Sequence, residues 1–252
     1  MEEQNSFRRM FPTPKGWMGW YEENYLDEGI DEDIDEDIYD NEGDLLWDVD
    51  GKPAYSLNWI REKFKKDEKL EFLFFWGHQP SNNGSITKTC LSQWWKEEFA
   101  IEIYKYCCME QYMMAEKARV FEDKEMMEKI LKSDNPKDIK EYGRKVSNFN
   151  EAIWARKRYS IVLNGNYAKF LQSERLMQFL LQTENKILIK ASPYDKIWGI
   201  GMSSDDKAVN DPFECKGQNL LGFAIMEVRD ELNRICQNYN RLNLTELHQD
   251  FG

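Results

Sequence analysis

YKYCCMEQYMMAEKARVFED, residues 104–123, is the stretch from which the fold is read. From Met109 onward Met, Ala, Glu, Gln and Lys dominate, and neither Gly nor Pro interrupts, so the segment predicts a helix. At 100° per residue, Glu110 and Lys117 fall about 20° apart, with Met113, Met114 and Phe121 on the same side. An acid and an amine therefore occupy what should be a buried stripe. Their axial separation of about 10 Å exceeds the spacing of a direct helix-surface pair. Two readings stand. Either the helix is rotated and both charges snorkel to water, or two long side chains converge on something held between them.

Before this helix, Ser56 is a candidate N-cap for a short basic helix with Leu57, Ile60 and Phe64 on one face. LEFLFFW, residues 70–76, reads as a buried strand. A turn follows through Gly77, His78, Gln79 and Pro80 into a Ser/Asn/Gly-rich run. Phe99, Ile101 and Ile103 then alternate as a strand. After the central helix a short one is expected over residues 125–132. Asn135 and Pro136 suit an N-cap and a first helical position, and Gly143-Arg144-Lys145 ends or bends the helix they start. Asn150 caps a long helix from Glu151 towards Gln172, with Gly165 as its weak point. A further helix is expected over 173–181, and KILIKA, residues 186–191, alternates as a strand. PYDKIWGIGMSS, residues 193–204, has the composition of a working loop, and 205–215 that of an exposed insertion. Residues 219–234 form an amphipathic helix with Leu221, Ala224, Ile225, Val228 and Leu232 inward. The expected class is α+β: a helix-rich single domain with a small sheet. An aromatic and acidic extension over 1–55, partly flexible, precedes a domain over 56–238, and a polar tail covers 239–252.

The chain of 252 residues carries a net charge of −12. Residues 22–50 hold 15 acidic residues and no Lys or Arg, so without those 15 negatives the remainder stands at +3. The acidity belongs to one segment, and the body can still receive a phosphate-bearing ligand. Ile30, Ile34 and Ile38 in that segment fit either a solvated linker or a helix that orders on a partner. The five cysteines, at 90, 107, 108, 215 and 236, form no Cys-x-x-Cys, which points to a reduced intracellular protein. The opening MEEQNSFRRM has no hydrophobic segment of the secretory kind, and no run is long enough to span a bilayer, so the expected location is cytoplasmic, with no membrane. With only His78 and His248, most His-based metal sites and a Ser-His-Asp triad are set aside. The phosphate-loop, dinucleotide and nucleophile-elbow motifs are also absent. Any chemistry must run on carboxylates, amines and aromatics. Trp76, Trp94, Trp95, Trp154 and Trp198 sit beside polar or Gly-rich loops or helix starts. Each reads either as core or, with Glu110, Lys117 and Asp195, as the wall of a pocket that stacks a flat ring.

Several blocks then occur in order: FFWGHQ (74–79), ITKTCLSQWW (86–95), MEQYMMAEKA (109–118), GRKV (143–146), Trp154, AKF (168–170), LLQT (180–183), ASPYDKIWGIG (191–201) and GQNLLGFAIMEVRDEL (217–232). In these the chain resembles the NADAR superfamily, named for NAD and ADP-ribose and also called YbiA-like, over about residues 70 to 235. It departs where Cys108 stands in place of a small hydroxyl cap, and where residues 203–216 lengthen a loop.

The resemblance implies cleavage of an N-glycosidic bond. One type of relative removes ADP-ribose from modified guanine in nucleic acid, and another breaks down early riboflavin-synthesis intermediates; a non-catalytic ADP-ribose binder is the third possibility. Carried over by position, Glu110, Lys117, Asp195 and Trp154 are the expected catalytic residues. Trp76, Gly77, His78, Ser92, Trp95, Gly143, Arg144, Trp198, Gly199, Gly201 and Asn219 are expected to line the ribose and phosphate site. No cofactor or metal is implied. The expected partner is an ADP-ribose-containing substrate in DNA or RNA, with a DNA ADP-ribosyltransferase toxin as a functional counterpart.

Overall fold

The computed structural model describes residues 52–241. Expectations for the aromatic and acidic segments before residue 52, and for the tail from 242, lie outside the described residues. The class is α+β, with seven helices and two separate two-stranded sheets among the described residues. In order they are α1 (Leu57–Lys65), β1 (Phe72–Phe75), a 3-10 turn (Lys88–Leu91), β2 (Phe99–Ile101), β3 (Tyr104–Tyr106), α2 (Met109–Val120), α3 (Lys124–Lys132), α4 (Pro136–Arg144), α5 (Glu151–Leu171), α6 (Glu174–Leu181), β4 (Ile187–Lys190) and α7 (Leu220–Arg241).

The helix boundaries follow local chemistry. Ser56, Asp123, Asn135 and Asn150 each accept a backbone amide of the helix they open, which satisfies donors that have no intrahelical partner. Helix α7 buries Leu221, Ala224, Ile225, Val228 and Leu232, as its amphipathic spacing requires. It also continues to Arg241, past the end expected at 234.

β1 and β4 pair in parallel, with Phe72 opposite Ile187 and Phe75 opposite Lys190. Parallel strands are covered on their faces, and β4 is buried at Ile187, Leu188 and Ile189. Because the strands run the same way, Trp76 leaves β1 at the edge where Ala191 leaves β4. Ligands of open α/β layers gather at such carboxyl ends.

Three expectations need correction. The alternation through Ile103 is not one strand: the chain turns at Glu102 (φ +54°), and Ile103 is 86% exposed at the tip of the β2–β3 hairpin. Gly165 does not weaken α5, which runs unbroken through it. A Cβ there would lie 2.4 Å from Tyr112 Cδ1, so this glycine is where α5 crosses α2 at close range. The insertion at 205–215 is not wholly exposed. Val209 is buried, the Pro212 carbonyl accepts from Arg61 Nε at 3.1 Å, and Phe213 meets Phe64 edge-on.

Candidate active site

Helix α2 presents three partly exposed side chains on successive turns, Glu110, Met114 and Lys117, while Met109, Gln111, Tyr112, Met113, Ala115 and Ala118 are buried. The acid and the amine therefore do share a face. Its central hydrophobe is Met114; Met113 belongs to the core instead.

Glu110 is set by the first turn of α2. Cys108 occupies the N-cap but makes no side-chain capping bond. The Glu110 amide donates instead to the Gln93 carbonyl at 2.9 Å, and Gln111 reaches back to accept from the Cys107 amide at 2.7 Å. Burial is the main influence on the Glu110 carboxyl and pushes it up to about 7; Lys190 and Lys140 oppose this, and Asp195 reinforces it.

Asp195 lies in the loop after β4. Its carboxylate accepts from Lys190 Nζ at 2.7 Å and from the Trp198 and Ile197 amides at 2.8 and 3.1 Å. Burial alone would raise Asp195, but the Lys190 ammonium and the two amides outweigh it and hold the group below its ordinary value. Lys190 ends β4, so the strand register sets the position of the cation that bonds Asp195 and acts electrostatically on Glu110.

At the other end of the face, Lys117 Nζ donates to the Gly143 carbonyl at 2.9 Å and sits 3.8 Å from the centre of the Phe149 ring. Burial lowers the amine, and Glu151 opposes that shift. Gly143 permits the approach of α4, since a Cβ there would fall 2.0 Å from Met114 Sδ. Trp154, buried, stands one turn after Glu151 on α5.

The other expected residues divide. Trp76, 56% exposed, leaves β1 with Gly77 (φ +77°) and half-buried His78 at the edge shared with Lys190. Arg144 is exposed beside Gly143. Ser92, Trp198 and Gly201 shape loops: Ser92 Oγ accepts the Trp94 amide, Trp198 binds Asp195, and the Gly201 amide donates to the Asp195 carbonyl. Gly199 is packed against the carbonyls of Lys190 and Asp195. Trp95 is turned inward, 5% exposed. Asn219 is fully buried, and its amide is consumed by β4, accepting from Lys190 N and donating to Leu188 O, each at 2.9 Å. It braces the strand that carries Lys190.

Sequence reasoning missed Lys190, Phe149 and Lys140. The period-two pattern of KILIKA marked Lys190 only as a strand end. Among the described residues no cluster of three or more His, Cys, Asp or Glu is placed to hold a metal ion, and no helix is long and apolar enough to cross a membrane. Two surface hollows open elsewhere, one beside Cys107, Gln111 and Ser133, the other beside Tyr55, Trp59, Asn185 and Arg229.

The chain is 41% identical over 170 residues to "N-glycosidase R617" of Acanthamoeba polyphaga mimivirus, a match covering 65% of this chain and 98% of that protein. It is 38% identical over 133 residues to "Protein irg-1" of Caenorhabditis elegans, covering 52% of this chain and 63% of that one. The NMR structure of the E. coli protein YbiA superposes with a TM-score of 0.52 at 23% identity, over 65% of this chain and 85% of that chain, and so shares the fold. The NADAR domain profile matches residues 74–233, which take in the end of β1, all of β2, β3 and β4, α2 and the Asp195 loop, and the chain belongs to the NADAR domain family.

Proposed function

We propose that this chain is an N-glycosidase hydrolysing the bond between ribose C1′ and a base nitrogen, and that its substrate is ADP-ribosylated guanine in nucleic acid. The observation that carries the reading is the divergence of two neighbouring carboxyls around Lys190. Glu110 is raised to about 7 and Asp195 is held low, and such divergence separates an acid from a permanent anion. Membership of the family, and a relative named an N-glycosidase, support the reaction class.

Breaking C1′–N requires a proton for the leaving nitrogen and stabilisation of positive charge on the sugar. Protonated Glu110 delivers the proton. Ionised Asp195 orients a ribose hydroxyl and favours the cationic sugar. Lys117, whose neutral form burial favours, adds through its nitrogen to C1′ of the opened sugar. The bond from C1′ to the base nitrogen then breaks as the base leaves with the proton from Glu110, and C1′ is left as an imine on Lys117. Water then attacks the resulting imine carbon, the amine departs, and the sugar is released. Trp154 shapes the base side. The planar fork of Arg144 takes two oxygens of the pyrophosphate.

The test is to incubate the protein with a guanine-ADP-ribosylated oligonucleotide and, separately, with the aminopyrimidine ribosyl phosphate of riboflavin synthesis. Release of unmodified guanine is expected. Loss of the pyrimidine alone would replace the substrate while keeping the reaction class. Tight ADP-ribose binding with turnover of neither would overturn the enzyme reading. Borohydride should trap a sugar adduct that disappears in Lys117→Ala, and an adduct that survives this change rejects the covalent role.

A further inference from the structure

Lys169 lies in the last third of α5 with no exposed surface. Lysines ordinarily keep the ammonium in water, and an ammonium held in the interior needs firm partners. Here Nζ donates to the carbonyls of Cys90 at 2.6 Å and Ser92 at 3.1 Å. Cys90 lies within the 3-10 turn Lys88–Leu91, and Ser92 is its C-cap. End-of-helix carbonyls lack intrahelical donors, and one buried cation supplies two of them.

The next carbonyl in the chain, that of Gln93, accepts from the Glu110 amide at 2.9 Å. With no capping bond from Cys108, this loop carbonyl acts as a cap for α2 at the residue that bears the carboxyl. The Gln93 side chain adds a second link through Met113 Sδ at 3.3 Å. A continuous route thus runs from the Lys169 ammonium through two carbonyls and one loop residue to the backbone of Glu110. Burial pushes Lys169 down to about 8, and Cys90, Cys108 and Glu97 oppose the shift.

We infer that Lys169 is a positioning residue for Glu110, fixing the 90–93 loop so that its Gln93 carbonyl holds the first turn of α2, and that it never touches substrate. The catalytic consequence rests on the N-glycosidase reading; the structural one does not.

The test uses the full chain and Lys169→Met, which keeps an unbranched side chain without the terminal nitrogen and so removes the donor. Amide exchange at Glu110 should quicken about tenfold or more, while Ile161 and Val162 of α5 keep their protection. The Glu110 carboxyl, followed by carbon-13 NMR, should titrate at lower pH as water reaches it. On the guanine-ADP-ribosylated oligonucleotide, kcat should fall roughly tenfold to a hundredfold with KM little changed. A folded Lys169→Met with unchanged Glu110 exchange and titration overturns the inference. If the native chain turns over neither substrate, the enzyme reading fails, and the first two readouts still decide the positioning role. Should Lys169→Met not fold, exchange in the native chain decides. The amides of Glu110, Cys90 and Ser92 should open as one cooperative group, and independent opening at Glu110 overturns the link.

Discussion

Glu110 and Asp195 share one cation, which lowers both, yet burial leaves Glu110 raised while Asp195 is held low. Lys190 is bonded to Asp195 at 2.7 Å and acts on Glu110 only through space. Asp195 also accepts two backbone amides, so it stays ionised, and its charge adds to the burial that keeps Glu110 protonated near neutrality. The three groups reach one place because β4 ends at Lys190, the loop returns through Asp195, and the first turn of α2 stands opposite.

This arrangement predicts a stability cost at Glu110. The folded carboxyl holds its proton up to about 7, whereas the unfolded one releases it near 4.5. Between those values the native state binds more protons, so stability falls as pH rises. Glu110→Gln removes that cost. Glu110 is not sealed from solvent, so the gain at pH 8 should be on the order of 1–2 kcal/mol, less than the full shift implies. Below pH 4.5 this ionisation difference vanishes. Urea midpoints at pH 4 and pH 8 measure it, and a variant no more stable at pH 8 refutes the burial argument. Turnover should be lost in the same variant.

A second prediction concerns Asp195→Asn. The amide side chain can still accept from Trp198 and Ile197 but no longer neutralises Lys190. Both changes favour the charged form of Glu110, so its titration moves to lower pH. If protonated Glu110 delivers the proton, the alkaline limb of kcat/KM shifts towards acid, with kcat down about tenfold to a hundredfold. A limb that stays in place while kcat drops would separate Asp195 from the titration of Glu110.

Much of this was legible locally. The uninterrupted composition after Met109 marked α2, and the Asn135-Pro136 and Asn150 signals placed two helix starts because capping is a short-range effect. Helical phase needed tertiary information: Met113 and Met114 are adjacent in sequence, yet only the latter faces Gly143. The cap on Glu110 was invisible because a carbonyl from Gln93 supplies it, and no residue type marks a carbonyl. Lys190 was overlooked because its importance follows from pairing with β1, a register between segments more than a hundred residues apart. Asn219 matched a sequence block for the ligand site, but its burial against β4 appears only once α7 is placed.

Gly165→Ala sets two effects of opposite sign against each other. Alanine is the better helix former by about 1 kcal/mol. The added carbon, however, would lie 2.4 Å from Tyr112 Cδ1, 2.5 Å from Cε1 and 2.7 Å from Met109 Cε. A ring wedged between two helices yields little, and overpacking of this kind costs about 1–3 kcal/mol. The clash should win, giving a net loss of up to about 2 kcal/mol in chemical denaturation. A stabilised Gly165→Ala would mean that the α2–α5 crossing is looser than it stands.

Gly143→Ala tests whether close approach of α4 matters to Lys117. The new Cβ would sit 2.0 Å from Met114 Sδ and 2.8 Å from Met114 Cγ, so either the methionine tip swings away or α4 retreats. A flexible thioether can move, which makes the cost smaller than at Gly165, about 1 kcal/mol. Retreat of α4 would also lengthen the 2.9 Å bond from Lys117 to the Gly143 carbonyl. Shortening the methionine should make room for the new methyl group. Gly143→Ala in a Met114→Ala background should therefore cost less than it does alone, with a coupling of about 0.5–1 kcal/mol in the double-mutant cycle. Additive effects would show that the two side chains do not compete for space. If Gly143→Ala also impairs borohydride trapping and Met114→Ala restores it, the carbonyl of α4 is what holds the amine in line with the sugar.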